Sequence, residues 1–238
     1  MPGTEGSAAL WRALRETGEW QGELWNRRRD GSLFAAHTVI RAVPGSDGED
    51  RRYVVVLSDI TERLALEARL EHNASHDPLT DLPNRAVLQD RLQQAMAHCD
   101  RHPQDQVAVL YMDLDGFKAV NDRFGHAAGD RLLVAAGRGI SGCLRQGDTL
   151  ARLGGDEFAG ILVDLDSAEA VHPILERILM ACRAVLQSGP GAEALSVSIG
   201  VTFYPQDTPV DTDDLLRQAD NTMYRAKQAG RDRYCLHT

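Results

Sequence analysis

The stretch Val107-Ala-Val-Leu-Tyr-Met-Asp-Leu-Asp115 decides the fold that we expect for most of this chain. Its run of apolar residues predicts a central strand that is covered on both faces. Because side chains alternate along a strand, Asp113 and Asp115 project from the same face at its end. Two such carboxylates repel each other and are costly to desolvate, and a hard divalent cation would relieve both problems. Alternatively, Asp115 caps the helix that follows or supports the ligands from behind.

Helices and strands alternate from Asp77 to the C-terminus. The predicted helices are Arg85–His98, Phe117–Phe124, Gly129–Leu144, Ala168–Leu186 and Thr212–Ala229. Further strands are predicted at Thr149–Leu153, Glu157–Val163 and Leu195–Thr202. This pattern predicts an α/β (α+β) domain with a mixed central sheet flanked by helices.

The N-terminal part of the chain follows a different pattern. After a short helix, Asp30-Gly31 is a hairpin-turn signal between strands predicted at Gly22–Arg27 and Phe34–Val43. A loop at Pro44–Gly48 and a strand at Tyr53–Ser58 follow, so we expect a small antiparallel β meander. A helical connector then runs to Asp77-Pro78, where proline disfavours helix in the residue before it.

The overall composition excludes several classes of protein. A net charge of −9 argues against a general DNA- or RNA-binding protein, which needs a surplus of Lys and Arg. No apolar stretch in the N-terminal part is long enough to span a bilayer, and no secretion leader is visible, so we expect a cytoplasmic protein. The four cysteines form no CxxC pair and are interpreted as free thiols. The histidines are scattered, and we expect no histidine-based metal centre.

A second motif, Arg152-Leu-Gly-Gly-Asp-Glu-Phe158, contains two adjacent glycines followed by two acids. The glycines permit the positive φ angles of a tight hairpin and let a phosphate or base approach the backbone. Asp156 and Glu157 can reach Asp113 if their strands are neighbours. For the motif alone, a solvated turn is the simpler interpretation.

Taken together, the motifs resemble the GGDEF diguanylate cyclase family. The signature Gly154-Gly-Asp-Glu-Phe158 is unaltered, and Asp77–Arg85 looks like the opening of that domain. Further blocks that resemble the family are Asp113–Asp130, Ser198–Val201 and Ala219–Arg231, so the resemblance covers residues 77 to about 235.

The resemblance implies a fold like that of nucleotide cyclases and polymerase palms, and an enzyme that condenses two GTP into cyclic di-GMP with release of two pyrophosphates. It implies two Mg²⁺ (or Mn²⁺) ions in each active site, bound by Asp113, the Leu114 carbonyl, Asp156 and Glu157. Asp156 and Glu157 are then the expected catalytic residues, and Asp156 has the position proposed as general base.

The resemblance also implies the substrate-binding residues. Asn121 and Asp130 would read guanine, since a carboxamide can donate to O6 and a carboxylate can accept from N1 and N2, which favours GTP over ATP. Phosphates would be bound by cationic side chains and by backbone at a helix start; the expected substrate-binding set is Phe117, Lys118, Asn121, Asp122, Asp130, Gly154, Gly155, Lys227 and Arg231. For Lys227 and Arg231, a solvated helix end is the alternative.

Arg145-x-x-Asp148 lies shortly before the double glycine, where the family has its product-inhibition site. Arg177 matches a further arginine that can contact the same cyclic di-GMP ligand. An RxxD string alone is often a simple salt bridge at a helix end.

Since each catalytic domain would hold one GTP, the reaction requires a homodimer.

The N-terminal strands, with Asp59-Ile-Thr-Glu-Arg63 at their exit, look like the second half of a PAS sensor domain. We therefore expect a partial PAS-like sensor domain at 1–61, a helical signalling linker at 62–76 and a GGDEF domain at 77–238. Because the first half of a PAS domain is missing, we expect no cofactor bound there. The piece is either a structural cap or an input and dimerisation module.

Two rival functions remain from the sequence. The chain could be a catalytically weak receptor for GTP or cyclic di-GMP, although its intact signature favours an enzyme. It could also be a nucleotidyl cyclase that makes a different cyclic product.

Overall fold

The computed structural model describes residues 4–44, 51–187 and 195–237, so the predicted loop at Pro44–Gly48 lies outside the described residues beyond Pro44. The chain divides into two compact units, Met1–His72 and Asn73–Thr238. Within the described residues, no helix combines the length and the apolar character needed to cross a membrane.

The first unit is a small antiparallel sheet with one helix before it. Helix α1 (Thr4–Glu16) is followed by β1 (Glu19–Arg27), β2 (Leu33–Pro44) and β3 (Arg51–Asp59), which pair in the order β1-β2-β3. Gly31 has a positive φ of 90° in the first hairpin, as its Asp-Gly turn signal predicts. The predicted antiparallel meander is therefore confirmed.

Helix α2 (Thr61–Ser75) links the first unit to the second. Its start is fixed by Asp59, whose Oδ1 accepts from the backbone N–H of Thr61 at 3.0 Å and from its hydroxyl at 2.6 Å. The side-chain acceptor stands in for the missing backbone partners of the first turn.

The second unit has a five-stranded sheet in the order β5-β6-β4-β7-β8, in which only β7 and β8 pair in parallel. Its elements, in chain order, are α3 (Arg85–Cys99), β4 (Gln106–Asp115), α4 (Phe117–Phe124), α5 (His126–Ser141), β5 (Thr149–Gly154), β6 (Glu157–Leu165), a 3-10 turn (Ala168–Val171), α6 (His172–Gln187), β7 (Ser196–Tyr204), α7 (Thr212–Gln228) and β8 (Arg233–Leu236). The mixed sheet flanked by helices confirms the expected fold class.

Strand β4 is the centre of the core because both of its faces are covered. Leu110 and Met112 point into a cluster that includes Ile140 of α5 and Ile178 of α6. The alternate residues, among them Val109, pack into a second cluster with residues of α3 and α7. This period-two division is the expected behaviour of a strand buried on both sides.

Three elements differ from the sequence-based prediction. Helix α5 begins at His126 rather than Gly129, because Gly125, with a φ of 80°, lets the chain turn directly from α4 into α5. The helix predicted at Ala168–Leu186 is a 3-10 turn followed by α6, where Pro173 fits the first turn because it has no N–H to donate. The short strand β8 was not predicted.

Candidate active site

The carboxylates of the strand end and of the glycine corner lie on neighbouring strands. Asp113 of β4 stands directly opposite Glu157 of β6, and the N–H of Leu114 donates to the Asp156 carbonyl at 3.2 Å. The carboxylates of Asp113, Asp156 and Glu157 do not all lie within 4.8 Å of one another. The fold thus brings the predicted metal-binding residues together at one end of the inner strands β4 and β6. Asp113 and Glu157 each have a hydrogen-bond partner of their own.

Asp113 is buried and pairs with Lys227, whose Nζ lies 2.7 Å from its Oδ1. Burial raises the pKa of Asp113; the Lys227 hydrogen bond opposes the shift, while the charges of Asp156 and Asp115 add to it. The carboxylate would therefore gain from additional positive charge close by. Together with the all-oxygen donor set, this fits a hard dication such as Mg²⁺.

Glu157 accepts a hydrogen bond from the Tyr111 hydroxyl at 3.0 Å. Burial and the neighbouring Glu157 carboxylate raise the pKa of Tyr111, so the phenol remains a proton donor. We did not single out Tyr111 from the sequence, although it lies two residues before Asp113 and therefore on the same face of β4. The phenol orients the carboxylate of Glu157 toward the site.

Asp115 accepts hydrogen bonds from side chains of β7 and does not cap a helix. It is buried and accepts from the hydroxyls of Ser196, at 2.6 Å, and Ser198, at 3.0 Å. No side chain caps α4, whose first turn follows Gly116 in the left-handed region. Of the two alternatives for Asp115, the helix cap is therefore wrong, and the supporting role stays a prediction. Arg231, one of the predicted phosphate contacts, has its Nε 3.8 Å from Asp115 Oδ1.

The glycine corner is fastened to the start of the domain by Arg152. Its Nε and Nη2 donate to the Gly155 carbonyl at 3.0 and 2.7 Å, and its Nη1 donates to both carboxylate oxygens of Asp77 at 2.9 and 3.0 Å. Gly154 and Gly155 both have positive φ angles, of 145° and 52°, which L side chains rarely adopt. We call the contacts among Asp77, Arg152 and Gly155 the Asp77 clamp.

Asp77 is partly buried in this clamp. Burial alone would raise its pKa, but hydrogen bonds from Thr80 and from the Arg152 guanidinium outweigh burial and hold the pKa below its ordinary value. The same segment is tied to the end of α2, because Asn84 donates from its backbone to Ser75 and from its side chain to Ala74. Neither contact could be read from the turn motifs alone.

The predicted guanine-reading region lies between α4 and α5. The Oδ1 of Asn121 is buried and has no hydrogen-bond partner among the described residues. Buried polar atoms are usually paired, so this amide suits a residue that binds a ligand. A Cβ on Gly129 would lie only 2.1 Å from that oxygen, so the amide occupies space that only glycine leaves open. Lys118, Asp122 and Asp130 are exposed, and Phe117 packs against the core.

The residues predicted for product inhibition meet at the loop between α5 and β5. Asp148 accepts from the backbone N–H of Arg145 at 2.8 Å and of Val163 at 3.3 Å, so it braces its own loop. Arg177 donates to the Cys143 carbonyl just before that loop. Arg145 and Asp148 also line a groove of about 640 Å³. The simple Arg145–Asp148 salt bridge of the alternative interpretation is not what holds Asp148.

Comparison with protein families gives two matches. A family described as diguanylate cyclase, GGDEF domain, matches residues 74–233, and a PAS domain family matches residues 2–62.

Curated relatives match most of the chain. Diguanylate cyclase TpbB of Pseudomonas aeruginosa PAO1 is 44% identical over 167 residues, which are 69% of this chain and 38% of that protein. Cyclic di-GMP phosphodiesterase PdeR of Escherichia coli K12 is 39% identical over 227 residues, 94% of this chain and 33% of that protein. The chain thus spans well under half the length of these relatives.

Solved structures resemble about two thirds to three quarters of the chain. The GGDEF domain of TpbB (YfiN) from Pseudomonas aeruginosa has a TM-score of 0.61 at 41% identity, covering 68% of this chain and 94% of that one. The coiled coil and GGDEF domain of DgcB from Caulobacter crescentus, in complex with cyclic di-GMP, has a TM-score of 0.64 at 27% identity, with coverages of 74% and 92%.

Proposed function

Because this chain belongs to the GGDEF diguanylate cyclase family, we propose that it condenses two GTP molecules into cyclic di-GMP and releases two pyrophosphates. The observation that carries this proposal is the position of buried Asp113 directly opposite Glu157, beside the Asp156 backbone. An acidic site of this kind, at the end of two inner strands and next to an intact glycine corner, suits nucleotidyl transfer.

In this proposal, Asp113, the Leu114 carbonyl, Asp156 and Glu157 would hold two Mg²⁺ (or Mn²⁺) ions. The ions would neutralise phosphate charge and acidify the ribose 3′-hydroxyl. Asp156 would accept the 3′-hydroxyl proton as that oxygen attacks the α-phosphorus of the second nucleotide and pyrophosphate leaves. Tyr111 keeps Glu157 oriented, and Ser196 and Ser198 fix Asp115 behind Asp113.

The remaining residues would select and hold GTP. Asn121, with its unpaired amide oxygen, and Asp130 would read the guanine edge, and an amide can rotate to present its N–H₂ to O6. Lys118 and Arg231 would contact phosphate oxygens. Lys227 pairs with Asp113 and would exchange that contact for a phosphate oxygen when substrate binds. Asp122, Gly154 and Gly155 would complete the pocket.

We further propose that two subunits present one GTP each, so that the active species is a homodimer of GGDEF domains. Residues 1–61 would act as the partial PAS-like input piece and 62–76 as the signalling linker to the catalytic domain at 77–238. Arg145, Asp148 and Arg177 would bind the product and inhibit the enzyme.

A product assay tests the catalytic proposal. The purified chain is incubated with GTP and Mg²⁺ at high protein concentration, and the nucleotides are separated by chromatography. We expect cyclic di-GMP, and we expect Asp113→Ala or Glu157→Ala to reduce its formation below detection. Asp166→Ala, which removes an exposed carboxylate outside the site, is the matched control and should leave turnover unchanged.

A receptor is the second candidate, and two observations favour keeping it. The Lys227–Asp113 ion pair occupies the proposed cation ligand, and a relative that matches 94% of the chain is a cyclic di-GMP phosphodiesterase. If the wild-type chain binds GTP or cyclic di-GMP but forms no product, the receptor replaces the enzyme. Incubation with mixed GTP and ATP separates a third possibility, a cyclase with a different product.

A further inference from the structure

A cluster of metal-ligating side chains lies at the other end of β4 from the proposed active site. It consists of His98 in the last turn of α3, His102 in the turn that follows, and Asp105 directly before β4. One ligand atom from each of the three lies within 4.8 Å of the other two. The four-residue spacing of His98 and His102 is visible in the sequence, and our expectation of no histidine-based centre overlooked it.

We propose that His98, His102 and Asp105 form a binding site for a transition-metal dication of the Zn²⁺ type. Two imidazoles and one carboxylate are typical ligands for zinc, whereas Mg²⁺ prefers oxygen ligands alone. Three protein ligands would leave one coordination position open to water. The proposal is independent of the cyclase activity.

The distances within the cluster suit a tetrahedral ion. His98 Nε2 lies 3.1 Å from Asp105 Oδ2. Two ligand atoms bound 2.0–2.1 Å from zinc at a tetrahedral angle would be ~3.3 Å apart. Because a carboxylate only accepts, His98 Nε2 carries the proton of this contact, and an ion would replace that proton, which moves to Nδ1 or to solvent. The observed separation needs little change to admit the ion between the two groups. The His98 and His102 rings are stacked, with centroids 4.2 Å apart and planes inclined by 21°, which places both imidazoles on one side of the turn.

The hydrogen bonding of His102 prepares it as a ligand. Its Nδ1 lies 3.1 Å from the His98 carbonyl, and because a carbonyl can only accept, Nδ1 must carry the proton. Nε2 is then the nitrogen with the free lone pair. A backbone carbonyl that orients a histidine through its other nitrogen is the usual support for metal-binding imidazoles.

The backbone holds the three residues in place without a metal. The N–H of His102 donates to the carbonyls of His98 and Cys99 at 3.1 and 3.0 Å, and the N–H of Asp105 donates to the His102 carbonyl at 2.9 Å. The neighbouring Arg101 does not pair with Asp105 but donates from Nε to the Ala97 carbonyl. Binding therefore requires little ordering of the chain, which favours affinity.

The site is accessible from solvent. The side chains of His98 and Asp105 are 44% and 27% exposed, and His98 also lines a cavity of about 320 Å³. A bound ion would join the end of α3 to the start of β4, so it should raise the thermal stability of the second unit.

Calorimetric titration of Zn²⁺ into the tag-free full chain tests the proposal, with millimolar Mg²⁺ present to occupy the proposed catalytic carboxylates. We expect binding of one ion and a rise of several degrees in the unfolding temperature. His98→Ala, His102→Ala and Asp105→Asn should each weaken Zn²⁺ binding by at least about tenfold. The variants' unfolding curves without zinc establish that each is folded.

His237→Ala is the matched control, because His237 is an exposed histidine outside the cluster. It should bind Zn²⁺ as the wild type does. The proposal is overturned if the wild type binds no zinc under these conditions. It is equally overturned if the three cluster variants bind zinc as tightly as the control, or if only replacement of cysteines removes the binding.

Discussion

Asn121 and Gly129 show how a single residue controls the candidate site. The buried Asn121 oxygen occupies the space where any side chain at position 129 would begin. Gly129 lies inside α5, where glycine is unfavourable compared with alanine, so the residue is explained by the amide it accommodates and not by the helix. The shape of the site thus depends on the absence of a Cβ at Gly129.

Gly129→Ala should therefore weaken the binding of GTP, although alanine is the better residue for a helix. The new Cβ would lie 2.1 Å from Asn121 Oδ1 and 3.1 Å from Phe117 Cζ, so the amide must move. We expect the KM for GTP to rise about fivefold or more, since hydrogen bonds of this kind contribute about 1 kcal/mol each. Gly139→Ala in the same helix is the control, since its Cβ would approach Val185 Cγ2 at 3.3 Å and atoms of Ala181 at 3.9 and 4.0 Å. An unchanged KM in Gly129→Ala would contradict the role of Asn121.

Asp77 gives a prediction for pH dependence. Its pKa is lowered in the folded state, so the stabilisation that it provides is complete above its unfolded pKa and is lost as the pH falls through the folded value. Asp77→Asn should thus unfold a few degrees lower than the wild type at pH 7. The difference between the two should shrink as the pH is lowered from 5 to 3. Thermal unfolding followed by circular dichroism measures it, and a difference that is constant with pH would refute the prediction.

At the scale of helices and strands, local patterns predicted much of the architecture. The apolar run and its alternation gave β4 as a doubly covered strand with Asp113 near its end, because burial and side-chain direction are both local properties of a strand. The double glycine similarly predicted the hairpin of β5 and β6. Boundaries set by an unusual backbone angle, as at Gly125, were placed wrongly by three residues.

Contacts between distant elements were not accessible from the sequence. Lys227 reaches Asp113 and the serines of β7 reach Asp115 only because the sheet order brings α7 and β7 beside β4. Strand β8 has four residues and is defined by its parallel pairing with β7. A segment this short shows no alternation of apolar and polar residues from which a strand could be predicted. The Asp77 clamp likewise joins residues that are far apart in the chain.

The loop between α5 and β5 carries a prediction at this scale. Asp148 braces the loop through backbone N–H groups, which leaves the Arg145 side chain exposed beside the groove. Arg145→Ala should raise the cyclic di-GMP concentration needed for half-inhibition about tenfold or more, because charged hydrogen bonds to phosphate are lost. The initial rate should remain near that of the wild type. Arg138→Ala on α5 is the control, and inhibition that persists in Arg145→Ala would argue against the site.

At the scale of the whole molecule, the chain has two units and one proposed GTP site. If each catalytic domain presents a single nucleotide, turnover requires two chains to meet. The specific activity should then rise in proportion to protein concentration under dilute conditions and level off once the dimer dominates. Initial rates across a wide range of concentrations, together with sedimentation of the same samples, measure this. A specific activity that does not vary with concentration would exclude the dimer requirement.

The Asp77 clamp has a mechanical consequence for such an enzyme. The last turn of α2 is bonded to Asn84, the neighbouring Pro83 carbonyl receives the Arg152 N–H, and Arg152 grips both Asp77 and the Gly155 carbonyl. These hydrogen bonds connect the helix terminus to the glycine corner through Arg152. We therefore expect that a rotation of this terminus would shift Asp156 and Glu157 and lower the rate of the proposed reaction without unfolding any strand.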